Sequence, residues 1–395
     1  MRPIWQCGMG VRAGRALVAV TLAIAAGSAG SAQATEFHVH GLLDLVATGR
    51  GQAYDLNGLR RGDSPFDPYS LRLFADARVN PRLEIYSQFV LRDATEPYVD
   101  GAYLMFTPTP KRDLHVLAGK IPWAIGTYAP RTYSNHNPLI GVPLMYQYHS
   151  TLVWYQVKPS ADALLAISGS GQFGGGGMAL VDDSYWDVGV TITGSERPIE
   201  YALGMTAGTP GWGSTQQDEN TGKSVLGRIG LAPLPGVRLG VSGAYGPYLV
   251  AELKPLMPAG KSVTDYHQKL GMADLELLVA SLELRGEAAR NVWETPSAGN
   301  LEVTSGYVEM KYSLSFGAFL AGRWDAQRFG KIANSAGVKH PWDSDVTRIE
   351  AGVGYRFSRD TVGKLVYQYT KFDLESVPED KRGHDLLAAQ LSIGF

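Results

Sequence analysis

The sequence contains almost no cysteine, since the only one among its 395 residues is Cys7. Cys7 lies in an N-terminal segment that we predict to be removed on export, which leaves the mature chain without a thiol. A chain without thiols forms no disulfides, attaches no haem through cysteine and binds no metal through cysteine. Disulfide scaffolds and covalent cytochromes are therefore excluded.

The sequence also lacks an apolar run long enough to cross a membrane as a helix. The apolar run 16–26 follows a basic leader and precedes the small residues Ala32-Gln33-Ala34, which is the pattern of a cleaved export signal. That run is shorter than the roughly 20 residues a spanning helix needs, and no later segment approaches this length. We expect residues 1–34 to be a signal peptide. We expect residues 35–395 to form one domain, because no linker or change in composition divides them.

Neither sign of charge dominates the sequence. The chain has 36 basic and 38 acidic side chains, and loss of the three arginines in the signal would change its net charge from −2 to −5. Mild acidity argues against nucleic acid as a partner. The mean hydropathy of −0.10 leaves two classes open, a secreted all-β protein and a membrane barrel whose lumen-facing residues dilute the lipid-facing ones.

Period-two alternation of apolar and polar residues is what the sequence has in abundance, and it predicts strands. The connections between these strands are alternately short and long, as in barrels with short periplasmic turns and long extracellular loops. We therefore predict an all-β fold, a transmembrane antiparallel β-barrel of about 18 strands with 16 as the alternative. The predicted strands are 36–49, 69–79, 82–92, 98–107, 113–121, 149–158, 161–169, 184–193, 198–207, 223–232, 237–246, 266–277, 281–291, 302–313, 316–328, 346–357, 361–373 and 384–395.

The last predicted strand ends on an aromatic residue. Leu391, Ile393 and Phe395 share one face of HDLLAAQLSIGF. This ending resembles the C-terminal signature of bacterial outer-membrane barrels. The resemblance implies an outer-membrane location, closure of the barrel by this strand, and recognition of these three residues by the barrel-assembly machinery.

Charged side chains recur on one face of several predicted strands. A charge facing lipid near mid-bilayer costs about 2–4 kcal/mol, so we expect these residues to face a water-filled lumen. The strand positions that we predict to line this lumen are Arg72, Asp76, Arg78, Arg82, Glu84, Arg92, Arg228, Arg238, Glu283, Arg285, Arg323, Asp325, Arg348, Glu350 and Arg356.

The segment 99–128, VDGAYLMFTPTPKRDLHVLAGKIPWAIGTY, resembles the phosphate-selective porin O and P family. In that family a strand of the "GK-x-P" type leads into a third loop that folds into the barrel, and the trimer is the usual assembly. By this resemblance 122–147 is a candidate constriction loop, with Arg131 and His136 facing the pore. The chain departs from the family pattern because its arginines alternate with acids. For the apolar part 138–146 two interpretations stay open: it packs on the inner wall, or it serves as a lid or docks a partner.

No arrangement of residues in the sequence suggests an enzyme or a cofactor protein. His149 and Ser150 are adjacent and would point to opposite faces of a strand, while His38 and His40 are too few for a closed metal site. We expect no catalytic, metal or cofactor site. We expect a diffusion porin for small hydrophilic solutes with a modest anion preference, in contact with outer-membrane lipid and lipopolysaccharide. The alternatives are a barrel that sheathes an electron-transfer cytochrome, or an adhesin.

Overall fold

The computed structural model describes residues 36–49, 69–92, 97–168, 177–182, 186–212, 220–373 and 383–395. The predicted signal peptide, residues 1–34, lies outside these ranges. Within them, sixteen antiparallel strands close into a barrel and two further strands form a small hairpin. The barrel strands are β1 Glu36–Gly49, β2 Tyr69–Asn80, β3 Leu83–Arg92, β4 Tyr98–Phe106, β5 Asp113–Pro122, β6 Trp186–Glu196, β7 Ile199–Thr206, β8 Ser224–Leu234, β9 Val237–Pro247, β10 His267–Val279, β11 Leu282–Thr295, β12 Gly299–Ser313, β13 Ala318–Phe329, β16 Asp345–Arg356, β17 Thr361–Asp373 and β18 Gly383–Gly394. The hairpin is β14 Lys331–Ala333 and β15 Lys339–Pro341.

The strands are joined in chain order, and the sheet closes where β18 meets β1. Leu42 pairs with Gly394 and Gly49 with Leu387 across this seam. The backbones of Gly41 and Phe395 exchange two hydrogen bonds at its end. A Cβ atom at position 41 would meet the far end of the exposed Phe395 ring, so a side chain there would displace that ring. Closure leaves the sheet without an unpaired edge.

The sixteen-strand alternative is right, and the count of eighteen was too high by two. The predicted strands 149–158 and 161–169 do not form, and the described part of this region instead folds into short irregular pieces. Residues 161–165 make an α-helix, Ala161–Leu165, whose N-cap Ser160 accepts a hydrogen bond from the amide of Ala163. The apolar alternation that suggested strands reflects packing of an irregular chain: Leu152 and Leu164 are buried together in one cluster.

Short turns gather at one end of the barrel and long connections at the other. Turns such as Ala280-Ser281 between β10 and β11 occupy what we call the short-turn end, and the hairpin β14–β15 lies at the opposite, long-loop end. Short helices also lie in the long connections: Ala129–Arg131, Leu144–Gln147, Ala251–Leu256 and Val263–Asp265. None of the helices in the described ranges is long and apolar enough to cross a membrane.

Side chains alternate between an outer and an inner face along each strand. Outward residues such as Ile229, Val241 and Ile349 are more than half exposed although they are apolar. The inner face carries most of the charge together with one large apolar cluster. That cluster joins the inner face of β8–β13 to the long connection that follows β5.

Candidate functional site

The connection after β5 lies inside the barrel. Its part 123–148, which we call the inner segment, makes contacts around most of the inner wall. Gly126 donates to Ser242 on β9 at 3.0 Å, and Tyr133 donates to Gln88 on β3 at 2.6 Å. Ser134 hydrogen-bonds Asp44 on β1 and Ser392 on β18. Since these strands lie on different sides of the barrel, the segment occupies its interior.

Charged wall residues bind the backbone of the inner segment. Glu350 accepts from the amides of Ile140 at 3.2 Å and Gly141 at 2.8 Å. Lys364 donates to three backbone carbonyls, those of Ser134, Asn137 and Leu139, at 2.6–2.9 Å. A backbone buried without such partners would leave polar groups unsatisfied, so these side chains replace the water that a surface loop would use.

One glycine allows the segment to approach the wall this closely. A Cβ atom on Gly141 would collide with a carboxylate oxygen of Glu350 and come within 2.8 Å of the amide nitrogen of Gln368. Neither neighbour can move away cheaply, because both are buried. Gly141 therefore belongs to the anchoring of the segment.

The apolar part of the inner segment packs as a protein core does. Leu139, Leu144, Met145 and Tyr146 are buried, and Tyr128 stacks on Tyr146 with ring centroids 5.2 Å apart. The apolar stretch 138–146 is therefore covered inside the barrel.

Two ionisable loop groups show the effect of this burial on pKa. Burial raises the pKa of Tyr133 to about 12, so its hydroxyl stays protonated as a donor to Gln88. Burial also raises the pKa of Asp343 to about 6. The amides of Thr151 and Ser344 donate hydrogen bonds to the carboxylate, which lowers this pKa and partly offsets the effect of burial. Through the hydrogen bond from the amide of Thr151, Asp343 links the long-loop end of the wall to the chain that follows the inner segment.

A first group of charges, which we call the buried network, lies between the wall and the inner segment. Arg131 of the segment bonds Glu309, and Arg323 bonds Glu309 at 3.2 Å and Glu350 at 2.5 Å. Arg323 also reaches Asp325 at 3.2 Å. The side chains of Arg323 and Glu350 are both 0% exposed. The members of the buried network are Arg131, Glu309, Arg323, Asp325 and Glu350.

A cavity of about 530 Å³ opens on the short-turn side of the inner segment. Thr127, Pro130 and Asn135 of the segment border it. Six cationic side chains line it but only two carboxylates: Arg131, Arg228, Arg238, Arg285, Lys311 and Arg356 against Glu276 and Glu283. A second cavity of about 470 Å³ shares Arg238 and Glu276 with the first. The short-turn end of the barrel therefore combines charged side chains with open cavities.

A second group of charges, which we call the cavity chain, runs along this wall in an unbroken series. Each member pairs with the next, and the sign alternates at every step. The series is Lys311, Glu283, Arg285, Glu276, Arg238, Glu200, Arg228 and Asp274, with successive distances of 2.7, 3.3, 3.4, 3.5, 2.6, 3.4 and 2.7 Å. Four cations and four anions leave the cavity chain without net charge.

The lining residues predicted from sequence fall into three groups. The cavity is lined by the predicted strand residues Arg228, Arg238, Glu283, Arg285 and Arg356, and by Arg131 and His136 of the inner segment. Arg323, Asp325, Arg348 and Glu350 are buried beneath the inner segment instead of facing water, because the segment covers that part of the wall. The guanidinium of Arg348 donates to the carbonyl of Val142 at 3.2 Å. Arg131 is likewise a buried, paired charge and not a free one.

The remaining predicted residues lie on the wall formed by β1–β3. Arg72 pairs with Asp44 at 3.4 Å, and Asp76 faces His40 at 3.5 Å. Arg78 bonds Glu84 at 2.9 Å. Arg82 lies exposed in the turn before β3 and is not a strand residue. Arg92 ends β3, and its side chain lies outside the described part of the structure.

Several charged residues of the interior were not among the sequence-predicted lining residues. Those of the two networks and the anchors are Glu200, Asp274, Glu276, Glu309, Lys311 and Lys364. The alternation of β7, β10, β12 and β17 places each of them on the inner face, so the same signal could have found them. In the described ranges, no group of three His, Cys, Asp or Glu side chains could hold a metal ion.

Comparison with known proteins shows a shared fold without close relatives. No protein-family model matches the chain, and no curated protein matches it significantly. The resemblance to phosphate-selective porins therefore rests on the sequence pattern alone.

Solved outer-membrane porins have the same architecture. OmpT, an outer membrane protein of Vibrio cholerae in its trimer form, aligns over 92% of this chain and 100% of its own at 12% identity and a TM-score of 0.58. An anion-selective porin from Comamonas acidovorans aligns over 92% and 100% at 9% identity and a TM-score of 0.58. Salmonella typhi OmpF in complex with daunomycin aligns over 91% and 97% at 13% identity and a TM-score of 0.55. The fold is the closed antiparallel barrel of outer-membrane porins.

Proposed function

We propose that the chain is an outer-membrane diffusion porin that passes small hydrophilic solutes or ions. The observation that carries the proposal is the charged cavity of about 530 Å³, bordered by the inner segment within a closed barrel. Barrels of this size are too wide to be filled by their wall side chains alone. An inward segment is what narrows such a barrel to a selective passage, and the constriction assigned to 122–147 is part of this proposal.

The same proposal includes a modest preference for anions, with Arg356 as its main source. Within the described part of the chain Arg356 takes part in no ion pair, and its hydrogen bonds go to the carbonyls of Arg359 and Asn135. Arg131, by contrast, is neutralised by Glu309. One unpaired charge is worth about 1 kcal/mol to an ion at 4 Å in water, which makes the preference modest.

The proposal also covers location, orientation and assembly. The apolar outer face would contact lipid and lipopolysaccharide, with the short-turn end in the periplasm and the long-loop end outside the cell. We infer a homotrimer by analogy with OmpT, which has a trimer form. Leu391, Ile393 and Phe395 would be read by the barrel-assembly machinery. The apolar stretch that a cytochrome sheath or an adhesin could have used for docking is buried, so nothing in the described residues favours those alternatives.

A recording of the purified chain in a planar bilayer under a salt gradient tests the function. Wild type should conduct with a reversal potential on the anion side, and Arg356→Glu should move it toward cations. Arg328→Glu is the control, because Arg328 lies on the outer face of β13 at the long-loop end. A folded barrel that does not conduct would refute the porin. An unchanged reversal potential in Arg356→Glu would refute only the assigned source of selectivity.

A further inference from the structure

The cavity chain differs from an ordinary set of surface ion pairs in its strict alternation. Every internal member has a partner of opposite sign on both sides, and the eight members cancel. The series spans six strands, from Lys311 on β12 to Glu200 on β7. Six of the eight members line the cavity of about 530 Å³. A solute in that cavity therefore meets closely spaced charges of both signs.

A solute of one sign gains little from such a surface. An anion that approaches Arg285 also approaches Glu276 and Glu283, which lie within 3.4 Å of the same guanidinium. Binding the anion weakens one of these pairs and sets a carboxylate against the incoming charge. A cation that approaches Glu276 meets the same difficulty with Arg238 and Arg285. Attraction and repulsion therefore largely cancel for ions of either sign.

A solute that carries both charges does not have this difficulty. Its carboxylate or sulfonate can pair with a guanidinium while its ammonium pairs with the adjacent carboxylate. The zwitterion then replaces an internal pair by two new pairs and leaves neither wall group unpartnered. Compact zwitterions separate their charges by a few bonds, which is the scale of the 2.6–3.5 Å pairs along the chain.

We propose that the cavity chain is a binding surface for small zwitterionic solutes, of the amino-carboxylate or amino-sulfonate class. The inference rests on the proposed porin function, since the cavity must lie on a solute path. Several members of the cavity chain are partly exposed, unlike those of the buried network, although Asp274 and Glu276 are buried. The side chain of Arg238 is 48% exposed and those of Glu283 and Lys311 are 25% exposed, so a solute can reach them.

Taurine and ethanesulfonate are suitable probes because they differ only by the ammonium group and neither crosses lipid readily. Uptake of each into liposomes that contain the full chain should favour taurine by about three- to fivefold, the factor that one exposed ion pair supplies. A porin governed only by its anion preference would instead favour ethanesulfonate. Tetramethylammonium gives the corresponding rate for a cation.

Two variants and one control locate the effect. Glu276→Gln removes the central carboxylate, so taurine uptake should fall to or below that of ethanesulfonate. Arg238→Gln should reduce the uptake of both sulfonates and raise that of tetramethylammonium, and it serves as the second variant where Glu276→Gln does not fold. Glu302→Gln removes a carboxylate from the outward pair Arg290–Glu302 and should change nothing.

The outcomes distinguish loss of the porin function from loss of the zwitterion-binding surface. Uptake of no solute by a folded barrel would refute the porin itself. Uptake of all three solutes without preference for taurine would refute the zwitterion surface and leave the porin standing. Equal changes for taurine and ethanesulfonate in Glu276→Gln would also overturn the inference, since a purely structural role predicts that result.

Discussion

The buried network and the cavity chain use the same residue types on neighbouring parts of one inner wall. Arg323 in the buried network is 0% exposed, whereas Arg238 in the cavity chain is 48% exposed. The inner segment covers the first and borders the cavity beside the second. The same residue types therefore have two roles, and coverage by the inner segment determines which role a charged side chain has. Beneath the segment the charges hold the chain in place, and beside the cavity they face solutes.

The energetic consequences of the two positions differ. Removing one partner of a buried ion pair leaves an uncompensated charge in a poor solvent and costs about 3–5 kcal/mol. An exposed pair is worth about 0–1 kcal/mol, because water and salt take over when it is broken. Substitutions in the buried network should therefore have the larger effect on stability. Substitutions in the cavity chain should have the larger effect on solute passage.

The largest expected effect comes from Arg323→Met. The change leaves the buried carboxylates of Glu309, Asp325 and Glu350 without their shared guanidinium. The free energy of unfolding should fall by about 3–5 kcal/mol. Unfolding by denaturant in detergent measures it. Arg328→Met on the outer face of the same strand is the matched control and should cost less than about 1 kcal/mol. Equal losses would mean that the inner charges do not hold the fold.

A smaller effect is expected from Lys364→Met. Three backbone carbonyls of the inner segment lose their donor, which should cost about 1–3 kcal/mol. The loss is local, so amide hydrogen exchange should accelerate in residues 134–139 while the barrel strands remain protected. Lys371→Met, on the exposed outer side of β17, provides the control. Unchanged exchange in 134–139 would show that Lys364 does not anchor the segment.

The smallest stability effect is expected in the cavity chain. Arg238→Gln breaks pairs with Glu200 and Glu276, but Glu200 is partly exposed and keeps Arg228 as a partner, and the buried Glu276 keeps Arg285. The free energy of unfolding should change by less than about 1 kcal/mol. The same denaturant assay used for Arg323→Met measures it. A loss as large as that of Arg323→Met would show that the cavity chain is structural.

The sequence predicts the barrel well because closure depends on a local pattern. Alternation in β13 and β16 assigns Arg323, Asp325, Arg348 and Glu350 to the inner face, where the structure has them. The same pattern fails at 149–158, where burial does not alternate: Ser150, Thr151 and Leu152 are buried in succession. Periodicity alone does not separate these two situations.

The resemblance to phosphate-selective porins pointed to an inward loop at 122–147, but the part of the wall that it covers could not be predicted from the sequence. The contacts between the inner segment and the wall join residues far apart in the chain, such as Gly141 and Glu350. Nothing in the local pattern of β16 indicates that a loop more than 200 residues away will cover it. The order of the cavity chain is equally non-local, because it depends on the register of β7–β12. Single strands give the face of each charge but not its partner.

The same carboxylate-to-amide change made in each network tests the division most directly. Glu276→Gln removes a negative charge beside the cavity, and Asp325→Asn removes one beneath the inner segment. Reversal potentials under a salt gradient should move toward anions in Glu276→Gln and stay at the wild-type value in Asp325→Asn. Equal shifts in the two variants, or a shift only in Asp325→Asn, would contradict the assignment of one network to holding the segment and the other to meeting solutes.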